Sequence, residues 1–206
     1  ADAERCTAAG RLNKRLRTTM AKPARKRTRS TTALGKLAPQ LIKTPLDYIL
    51  ADHHRQRELF SLCDAMAEAG PFDAELADII ATFLETEMEL HVIDEEEDLF
   101  PMLRRRLQPD DDAERIMGLL SGEHAADEAL GNEICQALRD GIRTKCTTIE
   151  AHLRNALLTF ADRQRRHLAV ENAIVLPLAA TRLSKRDLAD LGRRMAVRRG
   201  ISLSQD

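Results

Sequence analysis

HVIDEEEDLFP, residues 91–101, is the stretch on which the reading of this chain turns. Five consecutive acids, Asp94 to Asp98, interrupt a segment with helical apolar spacing and stand directly behind His91. At about 100° per residue, five positions sweep past a full helical turn. At least one carboxylate must therefore face the core, and Glu95, four residues after His91, is that one. A lone buried carboxylate costs several kcal/mol or takes up a proton unless a cation meets it. His and Glu at i and i+4 lie one turn apart on one face, where both reach a common metal ion. HLAVENAIVLP, residues 167–177, repeats the pattern at an offset of 76, with His167, Glu171 and Pro177 matching His91, Glu95 and Pro101. Glu96, Glu97 and Asp98 are expected to be solvated charge, and the two prolines to kink or end their helices beyond the site.

Working outward, four long helices emerge. Thr44 is the expected N-cap and Pro45 the first position of a helix over about 45–69, which stops at Gly70-Pro71. Asp73 caps a second helix that runs to the Gln108-Pro109 break. A third starts at DDDAER, where Asp111 and Glu114 have capping-box spacing, and ends near Asp140-Gly141. The fourth starts near Thr147 and continues to about 180, followed by a short helix after Ser184. Brief connections make consecutive helices antiparallel neighbours, so the expected fold is all-α, an up-down-up-down four-helix bundle.

Each helix then puts one histidine on its inward seam. The seams are Ile49, His53, Phe60, Cys63 in the first helix, and Ile80, Leu84, Glu87, His91, Glu95, Leu99, Met102 in the second. The third reads Met117, Leu120, His124, Glu128, Cys135, and the fourth Leu153, Leu157, Phe160, Gln164, His167, Glu171, Ile174. His54 and His152 fall off these stripes and are read as surface. Glu87, one turn before His91, either accepts a hydrogen bond from a ligand or partners an arginine. Two helical hairpins, each contributing one His and then His-x-x-x-Glu, can hold two ions with the glutamates bridging.

Composition agrees with this fold. Among 206 residues 43% are apolar and only 3% aromatic, with no Trp, which suits helices and starves a sheet. Cys6, Cys63, Cys135 and Cys146 form no C-x-x-C pair, so free thiols in a reducing cytoplasm are expected. No apolar run is long enough to span a bilayer. The net charge of −1 hides an asymmetry, because residues 1–43 carry twelve Lys or Arg against Asp2 and Glu4. That basic, Arg/Thr-rich stretch lacks large apolar residues and is expected to be a mostly disordered extension. Met20 offers an internal start site, and the composition also resembles an organelle transit peptide. Nucleic acid or an acidic membrane would engage only this tail. The expected division is an extension over 1–43, the bundle over 44–180, and a short helix and tail over 181–206.

His53, His91-x-x-x-Glu95 with EEDLFP behind it, His124, and His167-x-x-x-Glu171 with IVLP behind it together resemble the hemerythrin-like, or HHE cation-binding, family over about residues 45–180. The resemblance implies a non-haem di-iron centre, oxo- or hydroxo-bridged, that binds O2, NO or peroxide. His53, His91, Glu95, His124, His167 and Glu171 become the ligands it implies. Two departures stand out. The animal oxygen carriers of the family have a second histidine where this chain has Glu128, and Asp at i+5 where it has Glu171 at i+4. Glu128 is then a candidate seventh ligand, and without it the ion pair keeps more than one open position, which favours redox chemistry over reversible O2 carriage. Imidazole and carboxylate without thiolate suit iron, with manganese as the alternative ion. Three functions follow: binding or sensing O2 or a related oxidant such as NO, disposal of peroxide or reduction of NO by an enzyme fed from an unidentified electron donor, and iron storage or iron–sulfur repair. The repair relatives add a cysteine-bearing N-terminal domain, whereas Cys6 stands alone here.

Overall fold

The structure, a computed structural model, describes residues 34–203, which fall within one compact unit spanning Thr31–Asp206. The basic extension over 1–33 lies outside the described residues.

The first rod is α1, Pro45–Glu68. The second is one continuous helical run: α2 (Ala74–Phe83), a π-helical turn (Leu84–Met88), α3 (Glu89–Ile93), a second π-helical turn (Asp94–Leu99) and α4 (Phe100–Arg104). The third rod is α5, Ala113–Arg143. The fourth joins α6 (Ala151–Val170), a π-helical turn (Glu171–Val175) and α7 (Leu176–Arg182). α8, Lys185–Arg198, follows. No strand occurs among the described residues, and a single antiparallel bridge, Pro71 to Thr148, ties two loops together at one end.

Two apolar clusters show the direction of each rod. One gathers Phe60, Met66, Ile80, Leu138, Leu157 and Phe160. The other gathers Ile49, Leu99, Met117, Leu120, Val175 and Leu191. Along the chain the rods therefore run from the second cluster to the first, back, forward and back again. The chain is an all-α, up-down-up-down bundle.

Local chemistry explains most of the ends. Asp73 accepts hydrogen bonds from the amides of Glu75 and Leu76, both at 3.1 Å, and caps α2 as expected. Ser184 and Asp187 form a reciprocal capping box at the start of α8. Elsewhere the expectations need correction. Thr44 precedes α1, but its hydroxyl donates to the Leu41 carbonyl at 3.0 Å instead of capping. Asp111 does not cap α5; it is taken by Arg182 at 2.6 and 2.9 Å and by the Gln108 amide at 2.6 Å, while Glu114 pairs with Arg104. The last residues of the supposed extension are ordered, since Pro39–Lys43 form a 3-10 turn whose Ile42 is wholly buried.

α8 is more than a tail. Its Leu191, Met195 and Ala196 close the second apolar cluster, and Gly192 passes so close to the Ile42 carbonyl that a Cβ would lie 2.6 Å from its oxygen. The inward stripe of the fourth rod also differs from the expected seam after Glu171. Ile174 is exposed and Val175 is buried. The π-helical turn adds a residue to that turn, so the stripe advances by four positions instead of three. Pro101 and Pro177 follow such wide turns without ending their rods. A proline has no N–H for the carbonyl one turn back and its ring crowds it, which suits a turn already opened.

Candidate metal centre

Between the two apolar clusters lies a fully buried polar layer. The imidazoles of His53, His91, His124 and His167, one from each rod, are 0–7% exposed, and Glu95 and Glu171 are completely buried. They form two groups that share both carboxylates: His53, His91, Glu95 and Glu171 on one side, and Glu95, His124, His167 and Glu171 on the other. In each group one donor atom per residue lies within 4.8 Å of all the others. Both carboxylates stand on π-helical turns, a local geometry frequent at functional sites.

All four rings are oriented alike. Each Nε2 faces the carboxylates: His53 is 3.8 Å from Glu95 and 3.5 Å from Glu171, His91 is 3.5 Å from Glu95, His124 is 3.4 Å from Glu95, and His167 is 2.9 Å from Glu171. Each Nδ1 faces outward to a side chain of the preceding rod around the bundle. Asn172 holds His53 at 2.9 Å, Asp52 holds His91 at 3.3 Å, Glu96 holds His124 at 2.6 Å, and Glu123 holds His167 at 2.8 Å. The ring closes on itself, with the fourth rod serving the first. An acceptor at Nδ1 fixes the tautomer whose Nε2 lone pair points inward, as metal-bound imidazoles require.

The donor set fits a cation. Both oxygens of Glu95, Oε2 of Glu171 and Nε2 of His53 are buried without a hydrogen-bond partner. Arg55, the one buried arginine among the described residues, is occupied by Asp52 at 2.7 Å and Glu87 at 3.0 Å. The charge states carry the same message. Burial opposes a charged ring, yet the carboxylates of Glu95, Asp52 and Glu171 outweigh it and hold His91 at about 10. His167 reaches about 9 against burial because of Glu171 and Glu123, and His124 is raised in the same sense. Burial alone would keep Glu95 neutral; the surrounding imidazoles instead hold it well below the usual carboxylate range. Burial and the Glu95 charge push Glu171 up. Protons on the rings thus supply the balancing charge that a bound cation would supply, so metal and protons compete for one site.

The six residues of the two His-x-x-x-Glu motifs and the partner histidines are brought together. Glu128 is not: it is exposed on α5 and belongs to neither group. Asp127 turns inward in its place and is held by Gln164 at 2.7 Å and Arg163 at 2.8 Å. The acidic run also departs from expectation. Asp98 and Asp94 are each 1% exposed, not solvated, because α8 lays arginines over them. Arg198 and Arg199 reach Asp94 at 2.8 and 2.6 Å, and Arg194 reaches Asp98 at 2.9 Å with Arg198 beside it. Glu96 is spent on His124 and Ser121, and only Glu97 projects into solvent. Glu87 proves to be an arginine partner, and the acceptor for His91 is Asp52. His54 and His152 lie at the surface as expected.

A cleft of about 480 Å³ opens between the second and third rods. Its exposed rim carries Glu85, Glu89 and Glu128, and its buried lining includes His124, Gln164 and Phe160. The thiols of Cys63 and Cys135 are pushed up by burial to about 12 and about 11, so neither is a nucleophile. Among the described residues no helix is long and apolar enough to cross a membrane.

Fold and site together define a four-helix-bundle protein with a buried His/Glu cation site. The model of the hemerythrin HHE cation binding domain matches residues 44–179, and the chain belongs to that family. No curated protein matches it at a significant level.

Proposed function

We propose that this chain is a non-haem di-iron protein that binds or senses O2 or a related small oxidant such as NO. In this reading His53 and His91 would hold one iron, His124 and His167 the other, and both positions would share Glu95 and Glu171. The observation that carries it is the set of orphaned atoms at the centre: carboxylate oxygens of Glu95 and Glu171 and the Nε2 of His53, buried, unpartnered and surrounded by rings already oriented by outer acceptors. Bound iron would supply coordination sites and redox change. The chain's own part is to fix the rings, neutralise the charge and keep bulk water out with apolar packing at both ends of the layer. Manganese is the alternative ion for the same donors. A reducing, cytoplasmic setting accords with the unpaired thiols of Cys63, Cys135 and Cys146.

A second reading, disposal of peroxide or reduction of NO with an external electron donor, is favoured by two observations. The cleft reaches His124 from solvent, and Glu128, on its rim, belongs to neither donor group. Anaerobic reduction of the iron-loaded protein followed by admission of O2 separates the two. A stable spectrum that reverses on removing O2 supports binding. Rapid oxidation that does not reverse on removing O2, with steady consumption of peroxide, or of NO while a reductant is supplied, supports the enzyme. Iron storage or donation has no specific support in the site.

A further inference from the structure

Resting on the di-iron reading above, we propose that the two ion positions are unequal, and that the position of His124 and His167 holds its ion more tightly than that of His53 and His91. The six inner donors are nearly symmetric, with two imidazoles and the same two carboxylates on each side. The asymmetry lies one layer out. At His124 and His167 both Nδ1 atoms face carboxylates, Glu96 at 2.6 Å and Glu123 at 2.8 Å, and among the described residues neither carboxylate has a cationic hydrogen-bond partner besides the histidine. At His53 the acceptor is the neutral amide of Asn172. At His91 it is Asp52, at a longer 3.3 Å, and that carboxylate is already engaged by the Arg55 guanidinium at 2.7 Å and the Gln56 amide at 3.4 Å.

An anionic acceptor draws the Nδ1 proton toward itself and leaves Nε2 a stronger donor; a neutral amide does so far less, and a carboxylate shared with a guanidinium does so less than an unshared one at shorter distance. The His124/His167 position is thus filled first. The sequence repeat between the second and fourth rods supplies the matching ligands, and the residues just beside them break the symmetry: Glu96 follows Glu95 where Asn172 follows Glu171.

The test is anaerobic Fe2+ titration of the metal-stripped full chain, read by equilibrium dialysis, with two charge-only substitutions. Glu96→Gln keeps an acceptor at His124 and removes its charge; Asn172→Asp keeps the geometry at His53 and adds one. Outer partners of this kind typically change metal affinity by about 10–100-fold. The wild-type chain is expected to fill in two resolved steps. Glu96→Gln weakens the tighter step by about 10-fold or more, and Asn172→Asp strengthens the weaker step and narrows the gap. Circular dichroism confirms that each variant retains its helices. Two equal wild-type affinities, or a Glu96→Gln change confined to the weaker step, overturns the inequality while leaving the metal site standing. A folded wild-type chain that takes up no Fe2+ overturns the metal-site reading and this proposal with it.

Discussion

The segments 91–101 and 167–177 carry the same His-x-x-x-Glu spacing and a proline at the same offset, and both open into a π-helical turn around the glutamate. Their outer faces have little in common. The first is clamped by α8 and the residue after it, where Arg194, Arg198 and Arg199 neutralise two buried aspartates flanking Glu95. The second has no such cover, and its Ala173 and Ile174 lie exposed. Repetition places the inner donors; the unrepeated neighbours decide how firmly each donor is held and with what charge behind it. A dense acidic run is therefore three structures at once: an inner donor at Glu95, an outer acceptor at Glu96, and a docking surface at Asp94 and Asp98.

The comparison breaks most visibly at the clamp. Arg198→Ala leaves Asp94 with Arg199 alone and Asp98 with Arg194 alone, and two buried carboxylates each short of one cationic partner are expected to cost about 3 kcal/mol together. The measurement is urea unfolding, and adding Asp94→Asn and Asp98→Asn should recover part of the loss because the two buried carboxylate charges are then gone. Gly192→Ala attacks the same docking from the apolar side, where the new methyl would meet the Ile42 carbonyl, and should cost about 1–3 kcal/mol. If the triple variant is no more stable than Arg198→Ala alone, the arginines act through packing and not through charge. Asp73→Ala, which removes a cap at the opposite end of the bundle, is expected to cost only about 1 kcal/mol and to leave metal binding unchanged.

Acidity sharpens the comparison differently. His91 and His167 are held at about 10 and about 9 in the metal-free fold, above the ordinary value of about 6.5 that they take when unfolded. Groups raised on folding contribute stability that is fully present below about 6.5 and lost as pH rises through the folded values. Thermal melts of the metal-free chain should therefore fall between about pH 7 and 10. With metal bound the rings are already neutral, so the loaded chain should show little of this decline. Parallel pH profiles would remove the charge-balance argument.

Much of this was legible in the sequence. Helix number, the antiparallel order and the six central residues follow from period, breakers and the His-x-x-x-Glu repeat, because a charged group on an apolar stripe needs a reason to be there. The outer acceptors were not, since each comes from a different rod from the ring it holds. A signal existed all the same: Asp52, Glu96, Glu123 and Asn172 each adjoin one of the inner residues in the chain. The exchange of Ile174 for Val175 could not be read from a 3.6-residue period, which assumes an unbroken α-helix, and Glu128 was misplaced by choosing i+4 where Asp127 at i+3 turns inward. α8 looked like a tail because its arginines match acids about a hundred residues away.

The most direct test is the metal content of untagged protein after anaerobic Fe2+ loading and removal of free ions, beside Glu95→Gln, which alters the one residue whose oxygens all lack hydrogen-bond partners and which both donor groups share. Two irons per wild-type chain, falling to one or none in the variant with its helices intact, is the expected result. A folded wild-type chain that retains no transition metal, or a Glu95→Gln protein that still holds both ions, would contradict it.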